Sequence, residues 1–94
     1  MKRDIPTMVR DAVKKRSGGL CEACGRDGAN HMHHRKLRKQ GGEHTLENLI
    51  HVHAVPCHHE IHAHPARSYA LGLLVHSWDN PADVPVRDIA EEVA

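Results

Sequence analysis

The sequence predicts a small α+β domain held together by metal more than by an apolar core. Three observations predict it. A chain of 94 residues makes one ordinary domain, and with one Trp, one Tyr and no Phe it has little aromatic bulk to bury. Conformational entropy offsets most of what such burial supplies, so a staple is expected. Eleven His and three Cys supply the residue types of metal sites. The middle of the chain reads in the order knuckle, strand, loop, strand, helix.

The elements follow in order. Ile5-Pro6-Thr7 opens an N-terminal helix over about residues 7–17, with Thr7 as its cap. Met8, Val9, Ala12 and Val13 form its apolar stripe. Lys14, Lys15 and Arg16 suit the negative end of its dipole, and Ser17-Gly18-Gly19 ends it. Cys21-Glu22-Ala23-Cys24-Gly25 is a tight turn, and Ala29 to His34 a short strand. Arg35 to Glu47 is a polar loop containing Gly41-Gly42, which lets it turn or approach another backbone. Leu49 to His53 reads as a second strand and Cys57 to His64 as a short helix stopped by Pro65. Within a C-terminal packing segment, 65–94, the apolar stretch Tyr69 to Trp78 should supply much of the core. Asn80-Pro81 and Val84-Pro85 mark an extended connection, and Val86, Ile89, Ala90 and Val93 are spaced for a small last helix.

Composition excludes several classes. No apolar run approaches the roughly 20 residues of a membrane span. Met1-Lys2-Arg3-Asp4 leads into a polar helix and not a signal segment. A reducing, cytoplasmic setting is therefore expected, with no membrane partner. An odd cysteine count argues the same way, against a disulfide framework. The formal net charge of +1 hides an asymmetry. Residues 1–47 carry 11 Lys/Arg against 6 Asp/Glu, and residues 48–94 carry 2 against 6. One basic face suggests a polyanionic partner; the bland alternative is a solvated lysine-rich surface.

Cys21-x-x-Cys24 can grip one tetrahedral ion from a single turn. Only Cys57 remains as a third thiolate, so the fourth ligand must be His. His53, four residues before Cys57, is the choice, with His51 and His58 as competitors. The expected structural zinc site is thus Cys21, Cys24, His53 and Cys57. A redox Cys-x-x-Cys normally opens a helix in a βαβ unit, which this sequence lacks.

Ten of the eleven histidines fall between residues 31 and 64. His33-His34 ends the first strand, where alternation sends the two side chains apart. His58 and His62 are spaced i, i+4 and project from one helix face. One imidazole can hold a metal while its neighbour faces an attacking water. A neutral His, with an unperturbed pKa near roughly 6.5, can take that water's proton at neutral pH. An all-imidazole set suits Mn²⁺, Ni²⁺, Co²⁺ or Zn²⁺ better than Mg²⁺, which prefers oxygen.

Taken together, His33-His34-Arg35 … Gly41-Gly42 … Asn48-Leu49 … Cys57-His58-x-x-x-His62, with Cys21-x-x-Cys24 before it, resembles the HNH endonuclease family. The likeness is to the small zinc-stapled members encoded by phages and their hosts. It covers roughly residues 16–86, including the tail Ser77-Trp78-Asp79-Asn80-Pro81-Ala82-Asp83-Val84-Pro85-Val86. The resemblance implies a ββα-metal (His-Me finger) core over about residues 29–64, one catalytic divalent ion and DNA as substrate. It implies His33 and His58 as metal ligands, His62 as a further ligand, His34 as general base, and Asn48 as the residue that pins the loop. It also admits a place beside phage packaging machinery, within the bacterial host cell. The sequence departs from the pattern where many members have Cys-x-x-Cys-His. Here the run is His53-Ala54-Val55-Pro56-Cys57-His58, with His for Cys and one residue more.

Arg35, Lys36, Arg38 and Lys39 follow the expected base and would contact phosphates flanking the cut, with Lys14, Lys15 and Arg16 extending the patch. No base-reading module is evident, so low sequence specificity is expected. Glu60 reads as solvated, and His31, His44, His51, His59, His64 and His76 as residues outside the primary ligand sets. Two other readings compete. A zinc-stapled module could bind nucleic acid without cutting it, which would leave His34 and Asn48 without a purpose. A metal-handling protein would show many weak sites instead of two stoichiometric ones.

Overall fold

A computed structural model describes residues 4–87. Helix α1 spans Thr7–Ser17. Pro6, not Thr7, takes the cap position, and no side chain caps the helix. Proline's fixed φ and missing N–H suit that end, so the threonine falls inside the first turn. Ile5, Val9 and Val13, at i, i+4 and i+8, make the packing face. Met8 (84% exposed) and Ala12 lie outside it, so the inward stripe is narrower than the sequence predicts. Gly18 ends the helix at φ 63°, donating to the Lys14 carbonyl.

Strands β1 (His31–His34) and β2 (Leu49–Val52) pair antiparallel, with His31 opposite Val52 and His34 opposite Leu49. Both are shorter than the runs expected from residue 29 and to residue 53. β2 is buried along its whole length because both sheet faces are covered. On one face, Leu49 and Met32 join Val13 of α1. On the other, Ile50 and Val52 join Cys21, Ala23, Cys57, Ile61, Leu71, Leu73 and Leu74. The second cluster is the main core, and the stretch after Tyr69 supplies three of its leucines. Trp78, at the end of that stretch, stays out of it.

The helix expected over 57–64 is broken into parts. A π-type turn spans Ala54–His58, with Val55 extended at φ −135°, ψ 128°, and α2 covers His59–Ala63. His64 leaves helical geometry at φ −129°, ψ 70°, as a residue before proline tends to. Pro65 then stands first in α3, Pro65–Ala70, so it starts a helix as well as stopping one. Buried Ser68 joins the two, its Oγ within 2.8 Å of the Ile61 carbonyl and 2.9 Å of that of His64. Arg38–Gln40 and Pro81–Asp83 are single 3₁₀ turns. Of the expected C-terminal helix, Ile89, Ala90 and Val93 lie outside the described residues, and Val86 belongs to no helix. Among the described residues, no helix is long and apolar enough to cross a membrane.

Candidate metal centres and their surroundings

Cys21 and Cys24 sit in a turn closed by Gly25 N–H on the Cys21 carbonyl (2.7 Å) and Cys21 N–H on the Arg26 carbonyl (2.7 Å). His53 and Cys57 come from the junction of β2 and the π-type turn. The four donor atoms lie within 4.8 Å of one another, so these residues could bind a structural metal ion. The additional residue between His53 and Cys57 is absorbed in that turn, where His58 N–H bonds the His53 carbonyl at 2.9 Å.

The donor chemistry fits an ion. His53 Nε2 lies 2.7 Å from the Asp27 carbonyl, which can only accept. The ring proton is therefore on Nε2, and the Nδ1 lone pair faces Cys24 Sγ (3.5 Å) and Cys57 Sγ (3.4 Å). Such outer hydrogen bonds orient metal-binding imidazoles. Burial raises the Cys24 pKa, but hydrogen bonds, chiefly from Arg26, outweigh it and bring the thiol down to about 6. Burial and the two neighbouring sulfurs push Cys57 up to about 12. Cys24 and Cys57 are pushed in opposite directions, and a cation held among the sulfurs would favour thiolate at both. The competing histidines lie elsewhere: His51 Nδ1 meets Ser17 Oγ at 2.8 Å, and His58 belongs to a second cluster.

That second cluster is His33, His58 and His62, whose ligand atoms also lie within 4.8 Å of one another. His33 projects from β1 toward α2. His58 and His62 stand one helical turn apart, with ring centroids 4.8 Å from each other and 5.2 and 5.5 Å from His33. His33 is buried, His58 half-buried and His62 exposed, so the cluster opens toward solvent. His33 Nε2 meets the Leu73 carbonyl at 2.8 Å, leaving Nδ1 with the lone pair. Desolvation is the main cause that lowers its pKa to about 3, so the ring is neutral and able to ligate. His31, one residue pair along the same face, stands against His58 at 4.3 Å between centroids.

His34 lies on the opposite sheet face, at the mouth of the long loop. Its Nε2 is 2.9 Å from His44 Nδ1. Burial first, then the His44 and Arg38 charges, lowers its pKa to about 4. The loop carrying His44 is fixed by Asn48, which is buried. Asn48 Oδ1 accepts from Lys36 N–H (2.7 Å), and Nδ2 donates to the carbonyls of Lys36 (3.1 Å) and Glu43 (2.9 Å). Asn48 thus ties down the residue before His44 and the residue two positions after His34. Gly41 turns the loop at φ 89°, and a side chain at Gly42 would overlap the Lys36 carbonyl.

Arg35 overturns its expected role. It is 2% exposed, and its guanidinium donates to the carbonyls of Gly72 (2.7 Å), Glu47 (2.7 Å), Pro81 (3.1 Å) and Val84. With those four acceptors taken it is a structural clamp, not a phosphate contact. Arg16 is likewise engaged, bidentate on Glu22 (2.8 Å to each oxygen) and on the carbonyls of Leu46 and Leu49. Glu60 is not simply solvated: it faces His64 at 3.2 Å and Arg67 at 3.5 Å. Arg38 and Lys39 are exposed and Lys36 half-buried, which leaves these three on the loop surface.

Sequence reasoning missed His44 as a partner of His34 and the burial of Arg35. Spacing carries no signal for either. Comparisons with family models, with curated proteins and with solved structures find no match.

Proposed function

We propose that the protein is a metal-dependent endonuclease of HNH type, hydrolysing DNA phosphodiester bonds with low intrinsic sequence specificity. In this reading β1, β2 and α2 form the ββα-metal core, and the Cys21, Cys24, His53, Cys57 set holds a structural zinc ion. The observation that carries it is the open three-imidazole cluster together with His34, the chain neighbour of its buried member His33, whose loop is pinned by a buried asparagine. A pure binding module needs the cysteine set and the basic loop, but neither of these.

His33, His58 and His62 would hold the catalytic divalent ion, which when bound supplies positive charge for the scissile phosphate and the departing oxygen. The imidazole donors favour a transition metal such as Mn²⁺, Ni²⁺, Co²⁺ or Zn²⁺, with Mg²⁺ less suited. His34 donates from Nε2 to His44 and takes the proton of the attacking water at Nδ1. Burial keeps it neutral at pH 7, and a bound phosphate, being anionic, raises its affinity for that proton. The water oxygen adds to phosphorus as the bond to the leaving sugar oxygen breaks, and that oxygen is protonated from solvent. Asn48 and His44 are positioning residues: they hold the base and touch no reacting atom. Lys36, Arg38 and Lys39 bind flanking phosphates without reading bases.

The test is relaxation or linearisation of supercoiled plasmid with and without Mn²⁺, Ni²⁺ and Mg²⁺. Metal-dependent cutting, lost in folded His34→Ala, is expected. A zinc-loaded protein that shifts DNA on a gel yet cuts with no metal would replace this reading by that of a binding module.

A further inference from the structure

Tyr69 and Trp78 are the whole Phe, Trp and Tyr content of the chain, and both belong to one stack. Tyr69 rests against the main core. His76 lies flat on it, 3.9 Å between ring centroids and 7° between planes. Trp78 lies flat on His76 at 4.5 Å and 10°. Asp79 Oδ2, 3.6 Å from His76 Nδ1, steadies the middle ring. The stack runs from core to solvent, and its last ring is 77% exposed. An indole is among the largest apolar areas a core can gain. A chain this poor in aromatics has no packing reason to leave its tryptophan outside.

Trp78 also borders a cleft of about 360 Å³ with Lys36, Glu43, Glu47, Asp79 and Asn80. Asn48 lines the same cleft, so cleft and His34–His44 pair are set by one loop. The rim carries one cation against three carboxylates, which does not suit a phosphate. It does suit a base edge, because carboxylates accept from exocyclic amino groups and an amide both donates and accepts. A protein hot spot would instead need a desolvating surround, whereas Ser77 and Asn80 beside the indole are exposed and polar.

We infer that Trp78 is a stacking platform for an unpaired nucleobase of the DNA strand, held at the end of the Tyr69–His76 stack and admitted to the adjoining cleft. Paired bases already stack on their neighbours, so the platform favours single-stranded, frayed or flipped nucleotides over intact duplex. The inference rests on DNA being the substrate.

Trp78 is the sole tryptophan, so intrinsic fluorescence reports on it directly. Zinc-loaded protein is titrated, with no second divalent ion added, against a short oligodeoxynucleotide, its duplex, and an abasic strand of equal phosphate number. The single strand is expected to quench strongly, the duplex weakly and the abasic strand not at all. Trp78→Ala should weaken single-strand affinity, read by anisotropy of a labelled strand, by about 5- to 150-fold. Its abasic-strand affinity should not change, and Trp78→Phe should recover part of the loss. Equal quenching by the abasic strand, or wild-type affinity in Trp78→Ala, overturns the platform while leaving the nuclease reading intact. Failure of every strand to bind overturns the platform, and metal-dependent plasmid cleavage decides the nuclease reading separately.

Discussion

The two clusters that could hold a metal ion place the same imidazole in opposite settings. Around Cys21 the donors number four, three of them sulfur, and His53 is fixed from behind by the Asp27 carbonyl. Its residues come from two turns far apart in the chain, so an ion there ties them together. Around His33 the donors number three, all nitrogen, and they grade from buried to exposed. A set of four closes the coordination of a tetrahedral ion; a set of three leaves room for a water or a substrate oxygen. The difference teaches that donor count and access, more than residue type, separate a staple from a place where chemistry can occur.

The largest expected effect is at the staple. Stripping the Cys21–Cys57 site with a strong chelator should unfold the chain, because structural zinc supplies about 10–16 kcal/mol and domain margins are only about 5–15 kcal/mol. Circular dichroism melts with and without chelator measure this, and an unchanged melt would break the contrast. Next, His34→Ala should lower plasmid cleavage by about 10²–10⁴-fold while shifting stability by no more than about 1 kcal/mol. A variant that melts early would make His34 structural. Smaller again, Asn48→Ala leaves buried loop groups unpaired and should cost about 2 kcal/mol in urea unfolding. Its cleavage should fall further than its folded fraction, since His44 loses its support. Smallest, Arg38→Ala should reduce the salt slope of DNA binding by about one. A slope that stays the same would take Arg38 off the DNA path.

Much of the candidate site was legible because its grammar is local. Cys-x-x-Cys and the i, i+4 histidines need only a turn and a helix to become ligand pairs. Asn48 could be singled out, but its three backbone partners could not, since they depend on how the loop folds back over it. Arg35 illustrates the limit most sharply. An arginine reads as exposed by default, and its burial requires four carbonyls from three segments that only the tertiary fold assembles. His44 lies ten positions from His34, and loop sequence carries no period that would pair them. The start of α2 is hard to read for a related reason: the chain enters a turn already at Ala54, ahead of Cys57, with Val55 extended within it.

The clamp at Arg35 has a consequence for the order in which the chain assembles. Its acceptors at Gly72, Pro81 and Val84 lie 37, 46 and 49 residues away. Loops that long must close before those contacts return any free energy. The turns that carry the cysteines, the hairpin and α2 are complete in sequence by residue 63, well before Val84. Until residues 72–84 dock, the Arg35 guanidinium lacks its Gly72, Pro81 and Val84 acceptors and keeps its hydration. Docking of the last segment is what carries that charge inside, so it seals the fold as a late step.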